Sequence, residues 1–215
     1  MKLPNTVYHL AEESNWPSIQ RDGLLSASKL LDAAGLACAD RTRLERAQRL
    51  AHTELPTGVQ IRDQRPMPPA ALEACLVGLT PAEWYALINA RVFFWFDPNR
   101  LNRHRAACKP RPQVVLAVDT AKLVDAYREE VAVTPINTGN ARRKPARRGT
   151  ATFVPYAAWV ESGWESEALA LSVSMRKRSH QPVEVTVAGS VPDVMRFVVG
   201  VYRLPCAQQF TPPGA

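Results

Sequence analysis

VYHLAEESNWPSIQRDGLLS, Val7 to Ser26, is the stretch on which the reading of this chain turns. Its first residues, Val7 to Leu10, read as a strand with His9 inside it. Asn15 to Asp22 reads as a short helix, with Ser14 as its N-cap, Pro17 in its first turn and Gly23 just past its end. A Gly-Leu-Leu-Ser step follows at once. A histidine on an interior strand fits a core residue held by one hydrogen bond, and it also fits a ligand contact. The choice depends on what the rest of the chain brings to it.

Further along, the apolar spacing predicts helices over Ser28 to Leu36, Arg41 to His52, Pro69 to Cys75 and Thr80 to Ala90. In the last, Thr80 caps, Pro81 takes the first position and Glu83 the third. A short strand is expected at Gly58 to Arg62. Arg91 to Asp97, RVFFWFD, is a dense aromatic strand, and four successive aromatics (Phe93 to Phe96) fit burial on both faces. A helical turn at Pro98 to Ala107, a buried strand at Gln113 to Thr120 and a helix at Ala121 to Tyr127 come next. Thr134 to Val154 reads as one long irregular stretch, and loops of that length in a compact domain are functional or disordered. Tyr156 to Glu161 is a short helix. The last strands are Pro182 to Val187 and Arg196 to Tyr202. In the first of these Glu184 interrupts a valine-rich run. Period two sets Glu184 and Thr186 on one face and Val183, Val185 and Val187 on the other. An edge strand with a solvated face also accounts for that pattern.

The chain has 215 residues, 46% of them hydrophobic, which is enough for one sizeable core. The expected architecture is a single α+β domain over 1–204, with mixed strands and helices packed outside them, and a flexible Pro-rich tail over 205–215. No apolar run reaches about 18 residues and no signal peptide is read, so a cytoplasmic protein is expected. Cys38, Cys75, Cys108 and Cys206 follow no zinc or disulfide spacing and read as reduced thiols. Five of the net seven positive charges sit in ARRKPARR, as Arg142, Arg143, Lys144, Arg147 and Arg148. Such a loop attracts nucleic acid by counterion release; a solvated charge run has the same composition. The chain carries no P-loop, GxGxxG or GxSxG motif, and His9, His52, His104 and His180 are too scattered for a zinc hydrolase. No metal is expected, and any catalysis rests on dispersed polar residues.

Taken in order, three segments resemble the DarT family of NAD-dependent DNA ADP-ribosyltransferase toxins. The first holds Tyr8-His9, Asn15-Trp16-Pro17-Ser18-Ile19 and Gly23-Leu24-Leu25-Ser26. The second is Val92-Phe93-Phe94-Trp95-Phe96-Asp97-Pro98-Asn99-Arg100. The third is Val183-Glu184-Val185-Thr186-Val187 with Val191-Pro192. Phe93 stands where that family has proline, and Trp16 where it has leucine. The whole chain looks closest to an uncharacterised bacterial family related to these transferases. The resemblance implies an ADP-ribosyltransferase fold in which two small sheets form an NAD cleft with peripheral helices around it. It implies NAD as substrate, Glu184 as the catalytic carboxylate and an arginine on the pyrophosphate. Arg62 ranks first for that role, with Arg65 beside it and Arg41, Arg43, Arg46 and Arg49 as other candidates. It implies NAD contacts from His9, Tyr8, Ser18, Gly23, Leu24, Phe93, Phe94 and Trp95, a nucleic-acid acceptor (DNA first) on the basic run, and an antitoxin partner. A KptA-type RNA 2′-phosphotransferase, a transferase acting on protein, and a binding module without catalysis are the alternatives.

Overall fold

In the computed structural model, which describes residues 3–108, 111–142 and 145–213, the first strand outgrows its apolar kernel and becomes β1 (Thr6–Glu12). A 3-10 turn, Glu13–Asn15, leads into α1 (Trp16–Asp22), with Pro17 in its first turn. Ser14 caps nothing, because that turn already carries the chain into the helix. Gly23 ends α1 at φ +74°, a conformation that side chains disfavour, and a Cβ there would lie 2.3 Å from the Pro192 carbonyl oxygen. β2 (Leu24–Leu25) and α2 (Ala27–Ala33) follow, with Ser26 accepting from the Lys29 amide as N-cap. α3 (Cys38–Arg46) stops short of the expected His52. Arg49 folds back and donates through Nη1 to the Leu44 carbonyl at 2.6 Å, satisfying the last turn from outside the helix.

Two short strands, β3 (Thr53–Glu54) and β4 (Gln60–Ile61), form a ribbon. α4 (Pro69–Glu73) and α5 (Pro81–Asn89) come next, and α5 has the expected Thr80/Glu83 capping box. β5 (Arg91–Trp95) leads into α6 (Pro98–Ala107), a full helix capped by Asp97, where a single turn was expected. β6 (Gln113–Asp119) and α7 (Thr120–Ala126) match expectation. β7 (Val131–Thr134), absent from the sequence reading, leads into the long irregular stretch; β8 (Val154–Pro155) ends it, and α8 (Tyr156–Ser162) follows as expected. α9 (Glu165–Leu171) was also unforeseen. The chain ends through β9 (Glu184–Ala188), β10 (Ser190–Val191) and β11 (Val198–Leu204).

In place of two small sheets, the described strands form one seven-stranded antiparallel sheet, β11-β6-β1-β5-β9-β7-β8, and two ribbons, β10-β2 and β3-β4. The large sheet is nearly cut in two. β1 pairs with β6 over its whole length, yet meets β5 at a single register position, Tyr8 opposite Trp95. Beyond that point the strands part, and a cleft opens between Leu10–Glu12 and the β5 backbone. One row across the sheet reads Tyr8, Trp95, Glu184, Thr134. The three segments linked in the sequence therefore meet in one line.

One face of the sheet is valine-rich (Val7, Val114, Leu116, Val133, Val185, Val187) and packs on Trp16, Ile19, Leu123 and Trp159. On the other face α6 covers the β6–β1 half through Leu101, and α5 covers the β9–β7 half through Trp84 and Tyr85. The space between α6 and α5 is where the cleft surfaces. The tail is docked rather than flexible as far as Phe210, which is buried against Tyr8 and Tyr202. Asn102 of α6 brackets the Phe210 backbone with two 2.8 Å hydrogen bonds. Burying an aromatic ring of this size stabilises by roughly 1.5–3 kcal/mol.

Candidate active site

A cleft of about 630 Å³ runs through the split in the sheet, lined by β1, α1, β2, the 59–67 segment, β5, α6, the 137–140 loop and Glu184. That volume lies in the range of small-molecule sites. Glu184, the first residue of β9, is 3% exposed. β9 lies between β5 and β7, which overturns the edge-strand account of its charge. Three hydrogen bonds converge on Oε2: from Thr134 Oγ1 at 2.9 Å, Thr138 Oγ1 at 2.9 Å and the Thr138 amide at 3.3 Å. Among the described residues none reaches Oε1. No cation among the described residues pairs with the carboxylate, and burial pushes it up to about 7 despite those donors and the more distant Arg148. The result is a carboxyl that titrates near neutrality with one oxygen tied and one free.

His9 stands where β1 and β5 part. Its Nδ1 lies 2.8 Å from the Phe93 carbonyl oxygen. A carbonyl accepts, so Nδ1 carries the proton, and burial holds the ring neutral by pulling it down to about 4. Nε2 is then an acceptor, suited to a ligand hydroxyl. Arg62 lies across the cleft. Its Nε donates to Glu12 at 2.9 Å and its Nη1 to His104 Nε2 at 3.0 Å, while Nη2 is buried without a partner among the described residues. A guanidinium with one unspent edge in a cleft suits a phosphate or carboxylate oxygen. Glu12 also accepts from Arg111 and Gln113, so Arg62 is held from behind. His104 is kept neutral and pushed down to about 3, first by burial and then by the adjacent Arg62.

The far end of the cleft is built by Gly23 and Leu24, where β2 pairs with β10 just beyond β9. Four residue steps separate Glu184 from Ala188, about 13 Å along a strand. Ser18 lines the same end, its hydroxyl donating to Asp22 at 3.2 Å. Phe93 and Trp95 give the cleft aromatic walls, and Trp95 stacks at 5.5 Å on His104.

Glu184, Arg62, His9, Ser18, Gly23, Leu24, Phe93 and Trp95 are thus brought together. Tyr8 and Phe94 are not: Tyr8 packs behind the split against Phe210, and Phe94 is buried in the valine-rich face. Arg65 gives its Nε to the Leu50 carbonyl at 2.6 Å and does not line the cleft. Among the other arginine candidates, Arg41 pairs with Asp32 and Glu45, and Arg43 with Asp40. Arg49 lines the cleft but is spent on the Arg62 and Leu44 carbonyls and on Asn89.

Within the described part of the basic run, exposure is uneven. Arg143 and Lys144 lie outside the described residues, while Arg142 and Arg147 are exposed. Arg148, expected on the nucleic acid, is 2% exposed. A bridge to Leu76 pins its backbone, and its guanidinium sits over Trp84 and donates to the Thr138 carbonyl at 3.3 Å. It supports the loop that clamps Glu184. Thr134, Thr138, Glu12 and His104 are the site residues that sequence reasoning missed. Two threonines four apart around an Asn, and an acid ending an apolar strand, were the available signals. Among the described residues no group of His, Cys, Asp and Glu is arranged to hold a metal ion, and no helix is long and apolar enough to cross a membrane.

A family model described as "Family of unknown function (DUF7002)" matches residues 5–198. No curated protein matches. Among solved structures, DarTG of Thermosipho africanus in complex with ADP-ribose matches with a TM-score of 0.42 and 11% identity, over 93% of this chain and 44% of that one. The chain therefore spans less than half the length of that protein.

Proposed function

The chain belongs to the family of unknown function DUF7002, and we propose that it is an NAD-dependent ADP-ribosyltransferase with Glu184 as its carboxylate. One observation carries this reading: an unpaired buried glutamate, tied by one oxygen only, opens into the same cleft as a neutral histidine and a half-spent arginine. The motif resemblance adds NAD as the substrate that such a site would take. In the reaction the C1′–N bond to nicotinamide breaks and its electron pair leaves with the neutral base. The acceptor then bonds to C1′ and gives up its proton. The free Oε1 of Glu184 stabilises the positive charge that develops at the ribose and holds or removes the acceptor proton. His9 Nε2 accepts a ribose hydroxyl, and the open edge of Arg62 takes a pyrophosphate oxygen. The acceptor in this reading is a nucleic acid, DNA first, modified in the cytoplasm. A toxin acting on DNA calls for an antitoxin partner.

Calorimetry with NAD, followed by transfer of labelled ADP-ribose to single-stranded DNA, duplex DNA, RNA and cell protein, tests the proposal. Binding of NAD and label transfer that disappears in Glu184→Gln are expected. No heat at millimolar NAD rejects it.

A further inference from the structure

α6 presents two different faces. One holds the tail: Leu101 is buried, Asn102 grips Phe210, and Arg105 donates to the carbonyls of Gln208, Leu204 and Pro205 and to the Gln113 side chain. The other face carries Arg100, Arg103, His104, Ala107 and Cys108, all of which line the cleft. Spacings of three and four residues make them one stripe of the helix. At its inner end His104 meets Arg62. At its rim Arg100 and Arg103 are exposed. Arg103 has no hydrogen bond or ion pair among the described residues, and Arg100 has only Asp97, at 3.8 Å. These cations do no structural work, in contrast to Arg105 and Arg148.

Their place along the cleft assigns them a ligand. α6 starts three residues after Trp95, and Trp95 pairs with Glu184. The stripe therefore rises from the Glu184 end, whereas Gly23 and Leu24 form the opposite end. Arg62, deeper in, already offers a dinucleotide one cationic edge. We propose that Arg100 and Arg103 form the acceptor lane: they hold consecutive phosphates of a single nucleic-acid strand whose base or end dips toward Glu184. This rests on the transferase reading above. Side chains three apart on a helix have Cβ atoms about 5–6 Å apart, and two arginine forks of that spacing can bridge neighbouring phosphates. A single strand is favoured because Glu184 is buried, and a base inside a duplex cannot reach a buried carboxylate without leaving its stack. The lane is placed on α6, whose Arg100 and Arg103 line the cleft, whereas Arg142 and Arg147 do not line it and Arg148 is buried.

Anisotropy with a labelled single strand of about 15 nucleotides, as DNA and as RNA, measures the lane without NAD. Arg100→Glu/Arg103→Glu is expected to weaken strand binding at least about tenfold and to make its salt slope shallower by about 1.4, the share of two phosphates on a single strand. NAD binding by calorimetry stays at the wild-type value. Arg142→Glu/Arg147→Glu changes strand affinity less than about twofold. Arg100→Gln/Arg103→Gln gives a smaller loss in the same direction and guards against a folding defect. An unchanged salt slope in the α6 pair, or an equal loss of NAD binding, overturns the lane. So does a wild-type chain that binds NAD but neither strand, which points to an acidic protein acceptor. A chain that binds the strand through α6 but takes no NAD leaves the lane standing and removes the transferase reading.

Discussion

Two glutamates in this cleft are equally buried and behave oppositely. Glu12 is 2% exposed and Glu184 3%. Burial alone would raise both. At Glu12 the adjacent Arg62 and Arg111, with Gln113, outweigh it and hold the carboxyl below its ordinary range. At Glu184 two hydroxyls, one amide and the more distant Arg148 oppose it without a paired cation among the described residues, and the carboxyl rises to about 7. The contrast separates two uses of a buried acid. A neutralised one fixes geometry, here the aim of Arg62. One left without a cation has, in the proposed reaction, its charge in reserve for the positive centre that develops on the ligand.

The largest expected effect is at the neutralised member. Glu12→Ala leaves Arg62 and Arg111 facing each other across a buried gap, at a cost of about 3 kcal/mol. For a chain of this size that lowers Tm by roughly 10 °C. A folded-state carboxyl held below its unfolded value lends stability above that value and loses it as pH falls through the lowered one. Glu12→Gln should therefore flatten the acid limb of the stability curve. A thermal melt unchanged by Glu12→Ala would abolish the distinction drawn between the two acids.

Glu184→Gln comes next, and its sign is reversed. Its neutral side chain keeps the shape and can still accept from Thr134 and Thr138. The folded carboxyl lies above its ordinary 4.5, so the wild type loses stability as pH rises from there through about 7. The amide does not, and above pH 7 it should be the more stable chain by on the order of 3 kcal/mol. If the chain is the proposed transferase, its ADP-ribose transfer should fall about 10²–10³-fold, the scale of removing one electrostatic stabiliser. Wild-type transfer should rise with pH to a plateau above about 7. A variant both less stable and fully active would show that Glu184 belongs with Glu12.

This pair also marks what the sequence could show. Glu184 was legible because a charge broke a run of valines, and His9 because it stood inside an apolar strand. Their meeting was legible only through motif order, since the row Tyr8–Trp95–Glu184 joins residues far apart in the chain. Glu12 was not legible. It followed an apolar strand and preceded Glu13 and a helix, so it looked like surface, and its partners are 50 and 99 residues away. Arg148 misled for the converse reason. Composition placed it with four other cations, while a backbone bridge to Leu76 decides its burial. β7 was too short to stand out beside a polar loop, and with it went Thr134, the row's last member.

The smallest effects sharpen the comparison most, because they tune Glu184 without removing it. Thr138→Val deletes one hydroxyl donor and leaves the amide bond to Oε2. A hydrogen bond to a charged group is worth about 1.5–3 kcal/mol, so the carboxyl should climb by about one to two further pH units. Transfer at neutral pH falls, while the plateau at high pH returns close to wild type, and a pH–rate profile reads the difference. Thr134→Val should do less, although its hydroxyl lies at the same 2.9 Å. Thr134 Oγ1 is also 2.9 Å from the Ile136 carbonyl, and its one proton serves one acceptor at a time. When Glu184 is protonated, the hydroxyl can turn to Ile136 and accept from the acid; when Glu184 ionises, it turns back. Such a partner supports both forms of the carboxyl and shifts their balance little. Equal displacement of the pH–rate profile by the two valines would show that Thr134 donates to Glu184 alone.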